Sequence, residues 1–319
     1  MKKRLLTSAV IVVLLALAFA SRLLTLYVFD LVMLVMAVMG VVEVARVLER
    51  MGKHTNILIV GTFPAVLYLI TIFIVEKGLS WHYLVMGIFI AMIVYFLLIF
   101  ILTLCMKKTT QAELTKYEIT DTKPARYALE KATYSLGVFV YPALLFLTLI
   151  LLNHFGQLHF VHSVLGAESK EFVFFILLFV FTVTICTDSM AMVTGSLLKG
   201  PKLCPLISPN KTVSGAIGGL VGGVGSGMIL YAIYNTSNAF KSQFAVINGK
   251  FWVIIIIALL GSIISQIGDL IASALKRRAR VKDYGTIFPG HGGVMDRVDG
   301  LIFNSLFCFI AFTLLVAIA

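Results

Sequence analysis

Between Ser273 and Asp299 the chain reads SALKRRARVKDYGTIFPGHGGVMDRVD, the one long polar, charged and glycine-rich stretch in an otherwise apolar sequence. Its cations (Lys276, Arg277, Arg278, Arg280, Lys282 and Arg297) alternate with three carboxylates (Asp283, Asp296 and Asp299) around a turn from Pro289 to Gly293. Ammonium and guanidinium groups bind phosphates, and clustered aspartates bind hard divalent cations. A glycine-rich turn lets backbone N–H groups approach an anion closely. Together these residues point to metal-assisted handling of a phosphate-rich substrate.

Two more carboxylates upstream could join that chemistry. On a helix turning by about 100° per residue, Gln266, Asp269, Ser273, Lys276 and Arg280 fall within an arc of about 80°. They form a polar stripe that leads into the charged stretch. A carboxylate among apolar residues is costly and often functional, although an Asp269–Lys276 charge balance at a helix contact would use the same residues. If the turn around His291 folds back over the helix end, Asp269 and Asp296 can share a Mg²⁺, which takes few protein ligands and keeps phosphate oxygens and waters. Asp188, in Thr187-Asp188-Ser189, is either a further site residue or a partner in a helix–helix hydrogen bond. Ser208-Pro209-Asn210-Lys211-Thr212 stands just before a glycine-rich segment. It reads as an anion site at a helix N-terminus, or as an N-cap by Thr212 or Ser214.

The elements that position these residues are membrane helices. The 319 residues are 60% apolar and 13% charged, against about 25% charged in soluble domains. Mean hydropathy is +1.02. The expectation is an all-α polytopic integral membrane protein with about nine transmembrane helices, at roughly 5–21, 23–43, 56–75, 81–106, 134–152, 172–197, 214–234, 251–272 and 301–319. Residues 1–133 would supply N-terminal membrane helices and a polar linker, and 134–319 the catalytic region, within one integrated membrane domain. The first segment also fits a cleaved secretory signal ending at Ala18-Phe19-Ala20, but a second apolar run follows at once, which favours a retained helix.

All but five of the 26 lysines and arginines fall into alternate connections. The exceptions are Arg22, Lys77, Lys170, Lys241 and Lys250. This asymmetry predicts a cytoplasmic N-terminus, an external C-terminus and a cytoplasmic charged stretch. The net charge of +11 then reflects orientation and anionic lipid, not nucleic-acid binding. The four cysteines lack metal or disulfide spacing. His154, His159 and His162 read as solvated residues of an external loop. Within the polar insert 107–133, a short surface amphipathic helix near 125–133 and a plain solvated linker are equally compatible with the sequence. Gly215, Gly219, Gly223 and Gly227, with Gly218 and Gly222 beside them, allow close helix packing and also permit a homodimer.

The string Ser273-x-x-Lys276-Arg277-x4-Lys282-Asp283-x5-Pro289-x-His291-Gly292-Gly293-x-x-Asp296-Arg297-x-Asp299 resembles the signature of the phosphatidate cytidylyltransferase family. Gln266-x-Gly268-Asp269-Leu270, Ser208 to Thr212 and Asp188 fit the same family, and the resemblance covers about residues 185–305. One departure is Ser214, where some members carry an acidic residue. The resemblance implies that CTP and phosphatidic acid give CDP-diacylglycerol and pyrophosphate in the bilayer of a bacterial cytoplasmic membrane, with Mg²⁺ as cofactor. It implies metal ligation by Asp269 and Asp296, with Asp188 in support. Lys276, Arg277, Lys282 and Arg297 would neutralise phosphates, and Ser208, Lys211 and Thr212 would hold one. Asp283 joins the catalytic set, while His291 is either a donor to the leaving pyrophosphate or a structural turn residue. Asp296-x-x-Asp299-Gly300 also looks like the start of a CDP-alcohol phosphotransferase pattern, but no aspartate follows Asp299. A transporter or channel with a charged cytoplasmic gate is the alternative from outside enzymology. The absence of an internal repeat weighs against it.

Overall fold

The structure, a computed structural model, describes residues 13, 16–22, 25–116, 123–165, 169–236, 249–288, 290 and 292–318. Among the described residues, eight helical spans are long and apolar enough to cross a bilayer. The segment expected at 5–21 lies largely outside them; residues 16–21 are helical. The chain is a multi-pass membrane protein. Its outward faces carry large apolar side chains such as Leu58, Phe89, Ile93, Met192 and Ile229, a surface suited to lipid and not to water.

The helices run α1 (Leu26–Arg50), α2 (Ile57–Glu76), α3 (Trp81–Cys105), α4 (Lys107–Lys116), α5 (Pro124–Val138), α6 (Leu145–Asn153), α7 (His159–Leu165) and α8 (Ser169–Leu198). A short antiparallel hairpin follows, β1 (Lys202–Cys204) and β2 (Ser208–Thr212), then α9 (Val213–Thr236), α10 (Phe251–Arg278) and α11 (Met295–Ile318). A π-helical turn, Phe139–Leu144, joins α5 to α6 and bends the span at Pro142.

Helices α1 and α10 run on to Arg50 and Arg278, past the expected 43 and 272, and two helix starts differ from the sequence reading. The span expected at 134–152 begins at Pro124, so the polar residues near 125–133 are its first turns and not a separate surface helix. Proline suits the first helical position, and the charge of Lys131 is neutralised at 2.7 Å by Glu113 of α4. The last helix begins at Met295 instead of 301, which places Asp296, Arg297 and Asp299 on a helix.

Every residue of α6 is buried, so it forms the centre of the bundle. Phe139, Phe146, Phe155, Phe175, Phe179 and Phe312 fill the space around it. The glycine stripe of α9 packs within the chain. A Cβ at Gly218 would overlap Thr194 of α8, and one at Gly223 would overlap Thr187 of α8 and Ser262 of α10. The stripe expected to allow a homodimer is therefore occupied by neighbouring helices. Polar bonds pin the helices around it to one another. Thr187 Oγ1 lies 3.0 Å from Ser262 Oγ, and Asn304 Nδ2 of α11 donates to Thr184 Oγ1 at 2.9 Å.

Candidate active site

The C-terminal ends of α8 and α10 and the N-terminal ends of α9 and α11 meet at one end of the bundle. With the β1–β2 hairpin and Asp283 they line a pocket of about 600 Å³. Small residues make room for it: Ala191 and Gly195 on α8 face Gly215 and Ala216 on α9. At Gly195 the backbone of α9 is so near that a Cβ would stand 3.4 Å from Gly215 Cα.

Gln266, Asp269 and Lys276 of α10 line this pocket on one face. The Ser273 hydroxyl donates to Asp269 Oδ1 at 3.4 Å, and Gln266 Nε2 donates to the Ala216 carbonyl at 3.2 Å. Two ion pairs cross the space. Lys211 Nζ of β2 is 2.5 Å from Asp269 Oδ2, with both side chains more than a quarter exposed. Lys276 Nζ is 2.7 Å from Asp296 Oδ1, and here both side chains are nearly buried. Asp188 and Asp299 line the same pocket. Their carboxylates lie near enough to Asp269 for the three charges to interact.

Backbone geometry brings Asp296 to its lysine. Helix α10 ends in a Schellman cap, with Val281 N–H donating to the Lys276 carbonyl at 2.9 Å and Arg280 N–H to the Arg277 carbonyl at 3.0 Å. Arg280 takes the left-handed position, φ 55°, that glycine usually fills. The chain then reverses over the helix end. Asp296 Oδ2 accepts from Tyr284 N–H at 2.7 Å and Gly293 N–H at 2.9 Å, which closes the loop onto the first turn of α11. The Tyr284 ring supports Lys276 from below, 5.3 Å from Nζ, and its hydroxyl donates to the Ala272 carbonyl at 3.1 Å. Burial pushes the Tyr284 phenol well above its ordinary pKa, so it serves as a neutral donor.

The remaining sequence candidates divide. Asp283, Arg297, Lys211 and Thr212 line the pocket, whereas Ser208, Arg277 and Lys282 do not. Thr212 is also the N-cap of α9, its hydroxyl oxygen accepting from Gly215 N–H at 3.1 Å. Ser208 belongs to the hairpin, paired with Cys204. Arg277 braces that hairpin through Nε to the Ile207 carbonyl at 3.2 Å. Lys282 is exposed, and His291 lies outside the described residues.

The carboxylate oxygens lining the pocket are hard donors, the type that a divalent cation such as Mg²⁺ takes. Asp188, Asp269 and Asp299 line one pocket, and among the described residues no three or more His, Cys, Asp or Glu side chains are grouped closely enough to hold a metal ion by themselves. An open carboxylate set leaves positions for phosphate oxygens and water.

Residues 2–315 match the family model described as the cytidylyltransferase family. The chain belongs to the cytidylyltransferase family. Among its relatives, a phosphatidate cytidylyltransferase of Brucella abortus is 44% identical over 133 residues, 42% of this chain and 45% of that protein. One of Staphylococcus saprophyticus is 39% identical over 127 residues, 40% of this chain and 45% of that protein. The matched region thus spans less than half the length of these relatives.

The sequence reading of this cytidylyltransferase-family chain missed two buried carboxylates in α1. Glu43 accepts hydrogen bonds from Val294 N–H at 3.0 Å and Met295 N–H at 2.9 Å. Asp30, nearer the other end of α1, is bound at 2.7 Å by His154 Nε2. His154 is therefore buried rather than solvated, while His159 and His162 are exposed. The available signal was charge inside an apolar run, as in Val41-Val42-Glu43-Val44 and Phe29-Asp30-Leu31.

Proposed function

We propose that this chain is a CTP:phosphatidate cytidylyltransferase that makes CDP-diacylglycerol and pyrophosphate. The supporting observation is a single pocket, at one end of a membrane bundle, in which Lys211, Lys276 and Arg297 stand among Asp188, Asp269 and Asp299. A phosphate-rich nucleotide and a lipid phosphate are both anions, and such a mixture of cations and metal-ligating oxygens suits their encounter. The names of the relatives favour the same reaction.

A phosphate oxygen of phosphatidate attacks the α-phosphorus of CTP. The new P–O bond forms as the bond to the bridging oxygen of pyrophosphate breaks. The attacking phosphate is already ionised near neutral pH, so the protein need not remove a proton. Catalysis rests on positioning and charge neutralisation. Lys211 and Lys276, held by Asp269 and Asp296 when no substrate is bound, turn to incoming phosphate oxygens. Arg297, and the exposed Lys282 next in sequence to the pocket-lining Asp283, add positive charge. Asp269, with Asp188 and Asp299, would hold Mg²⁺, which supplies Lewis-acid polarisation of the phosphoryl oxygens. Asp296 reaches the same space only by exchanging Lys276. Positive charge concentrated around the pocket favours the cytoplasmic face of a bacterial cell membrane, and a retained span at 5–21 would then put the N-terminus inside and the C-terminus outside.

The test is purified protein in detergent with phosphatidic acid, Mg²⁺ and α-labelled CTP. Labelled lipid and an equal amount of pyrophosphate are expected. A folded preparation that yields neither, under conditions in which a known phosphatidate cytidylyltransferase turns over, would overturn the assignment.

A further inference from the structure

The α11 entrance is held by a carboxylate from the far end of the chain. Glu43 is buried, 2% exposed, and both its oxygens are used by consecutive N–H groups, Val294 and Met295. The preceding N–H, from Gly293, goes to Asp296. Three successive amides at the start of the helix are thus shared between a carboxylate of α1 and one facing the pocket. The helix N-terminus and its first-turn N–H groups favour negative charge there.

The fit is steric as well as polar. A Cβ at Gly285 or at Gly293 would overlap the Glu43 carboxylate. One turn earlier on α1, Gly40 lets Met295 and Phe146 come close, a Cβ there standing 3.3 Å from Met295 Sδ. Gly40 and Glu43 form a socket into which Gly285 and the run Gly293 to Met295 seat. Asp296 and Asp299 follow one residue and one turn later, so the seating of this segment sets where their side chains enter the pocket.

We propose that Glu43 is a positioning residue for the reaction. It does not line the pocket, and it fixes Gly293 to Met295 so that Asp296 meets Lys276 and Asp299 faces Asp269. The role of Glu43 in turnover rests on the cytidylyltransferase reading; its role as a seat for the segment does not.

Two measurements on the full-length protein separate these. Glu43→Gln is isosteric but turns an amide N–H toward a backbone N–H. It should lower kcat by about ten- to a hundredfold while KM for CTP stays within about threefold, because one charge-assisted bond is lost outside the binding contacts. In the same variant, amide exchange at Val294 and Met295 should rise by about tenfold or more, with α8 and α9 unchanged. The exchange readout stands even if the wild type makes no CDP-lipid. Should Glu43→Gln fail to fold, Gly293→Ala tests the contact from the other side. In a cycle with Glu43→Ala, Gly293→Ala should be damaging alone and add little to the double variant. Wild-type exchange and kcat in Glu43→Gln, or additive losses in the cycle, would overturn the proposal.

Discussion

Two polar clusters occupy opposite ends of this bundle, about 20 Å apart along α1 at 1.5 Å per residue. At the end away from the pocket, Asp30 is fully buried. Oδ1 accepts from Asn153 Nδ2 at 2.8 Å and Oδ2 pairs with His154 Nε2 at 2.7 Å. Asn153 Oδ1 in turn accepts from Arg22 Nε at 2.7 Å, and His154 Nδ1 meets Gln157. Each group is bound by protein, Asp30 and His154 are buried, and none of these residues lines the pocket. At the other end, Asp269 and Asp296 also have lysine partners, but those pairs border an open pocket that Asp188 and Asp299 share. A closed network of satisfied groups fastens helices. Matched charges around a cavity can trade protein partners for a ligand. Room, more than charge, separates the two clusters.

The sharpest way to break that comparison is Asp269→Asn. Its ion pair with Lys211 is partly exposed and contributes about 0–1 kcal/mol to stability. Turnover of CTP and phosphatidate should fall about a thousandfold or more, with the melting temperature close to wild type. Near-normal turnover would remove Asp269 from the reacting set. Asp296→Asn behaves differently, because Lys276 and Asp296 are both nearly buried. Leaving Lys276 without its carboxylate should cost about 3–5 kcal/mol and abolish turnover. Adding Lys276→Met should recover most of the stability and none of the activity. Recovery of turnover in the double variant would show that the pair serves only to hold the fold.

The same contrast explains what was readable in the sequence. Uninterrupted apolar runs exposed most spans, and the helical period alone aligns Gln266, Asp269 and Lys276. Where a charge is neutralised by a distant residue, hydropathy stops too early. Lys131 hides the true start of α5 until Glu113 is placed beside it, and Asp296 makes the first turn of α11 look like loop. Glu43 is adjacent in space to Val294 but separated from it by most of the chain. Periodicity within one helix carries no information about that partner. His154 fails for the same reason, since a histidine beside a predicted loop looks solvated until Asp30 is brought to it.

At the closed cluster the expected effects fall on stability alone. Asp30→Asn removes the charge that binds His154 and should cost about 1–3 kcal/mol, lowering the melting temperature while kcat per folded enzyme is unchanged. A loss of kcat without a loss of stability would mean the far end communicates with the pocket.

The smallest effect is one of pH. Burial alone would disfavour the His154 imidazolium, but the hydrogen bond and charge of Asp30, with Gln157, outweigh it and raise the pKa above the ordinary value. A raised pKa means that the folded state binds the proton more tightly than the unfolded chain. The added stability is complete below about pH 6.5, the ordinary histidine value, and drains away as pH climbs through the folded value. The melting temperature of the wild type should therefore drop as pH rises above about 6.5. In His154→Gln, which can still hydrogen-bond Asp30 but cannot titrate, the slope should flatten. An identical slope in both proteins would assign the pH dependence to another group and leave the Asp30 cluster as a neutral clamp.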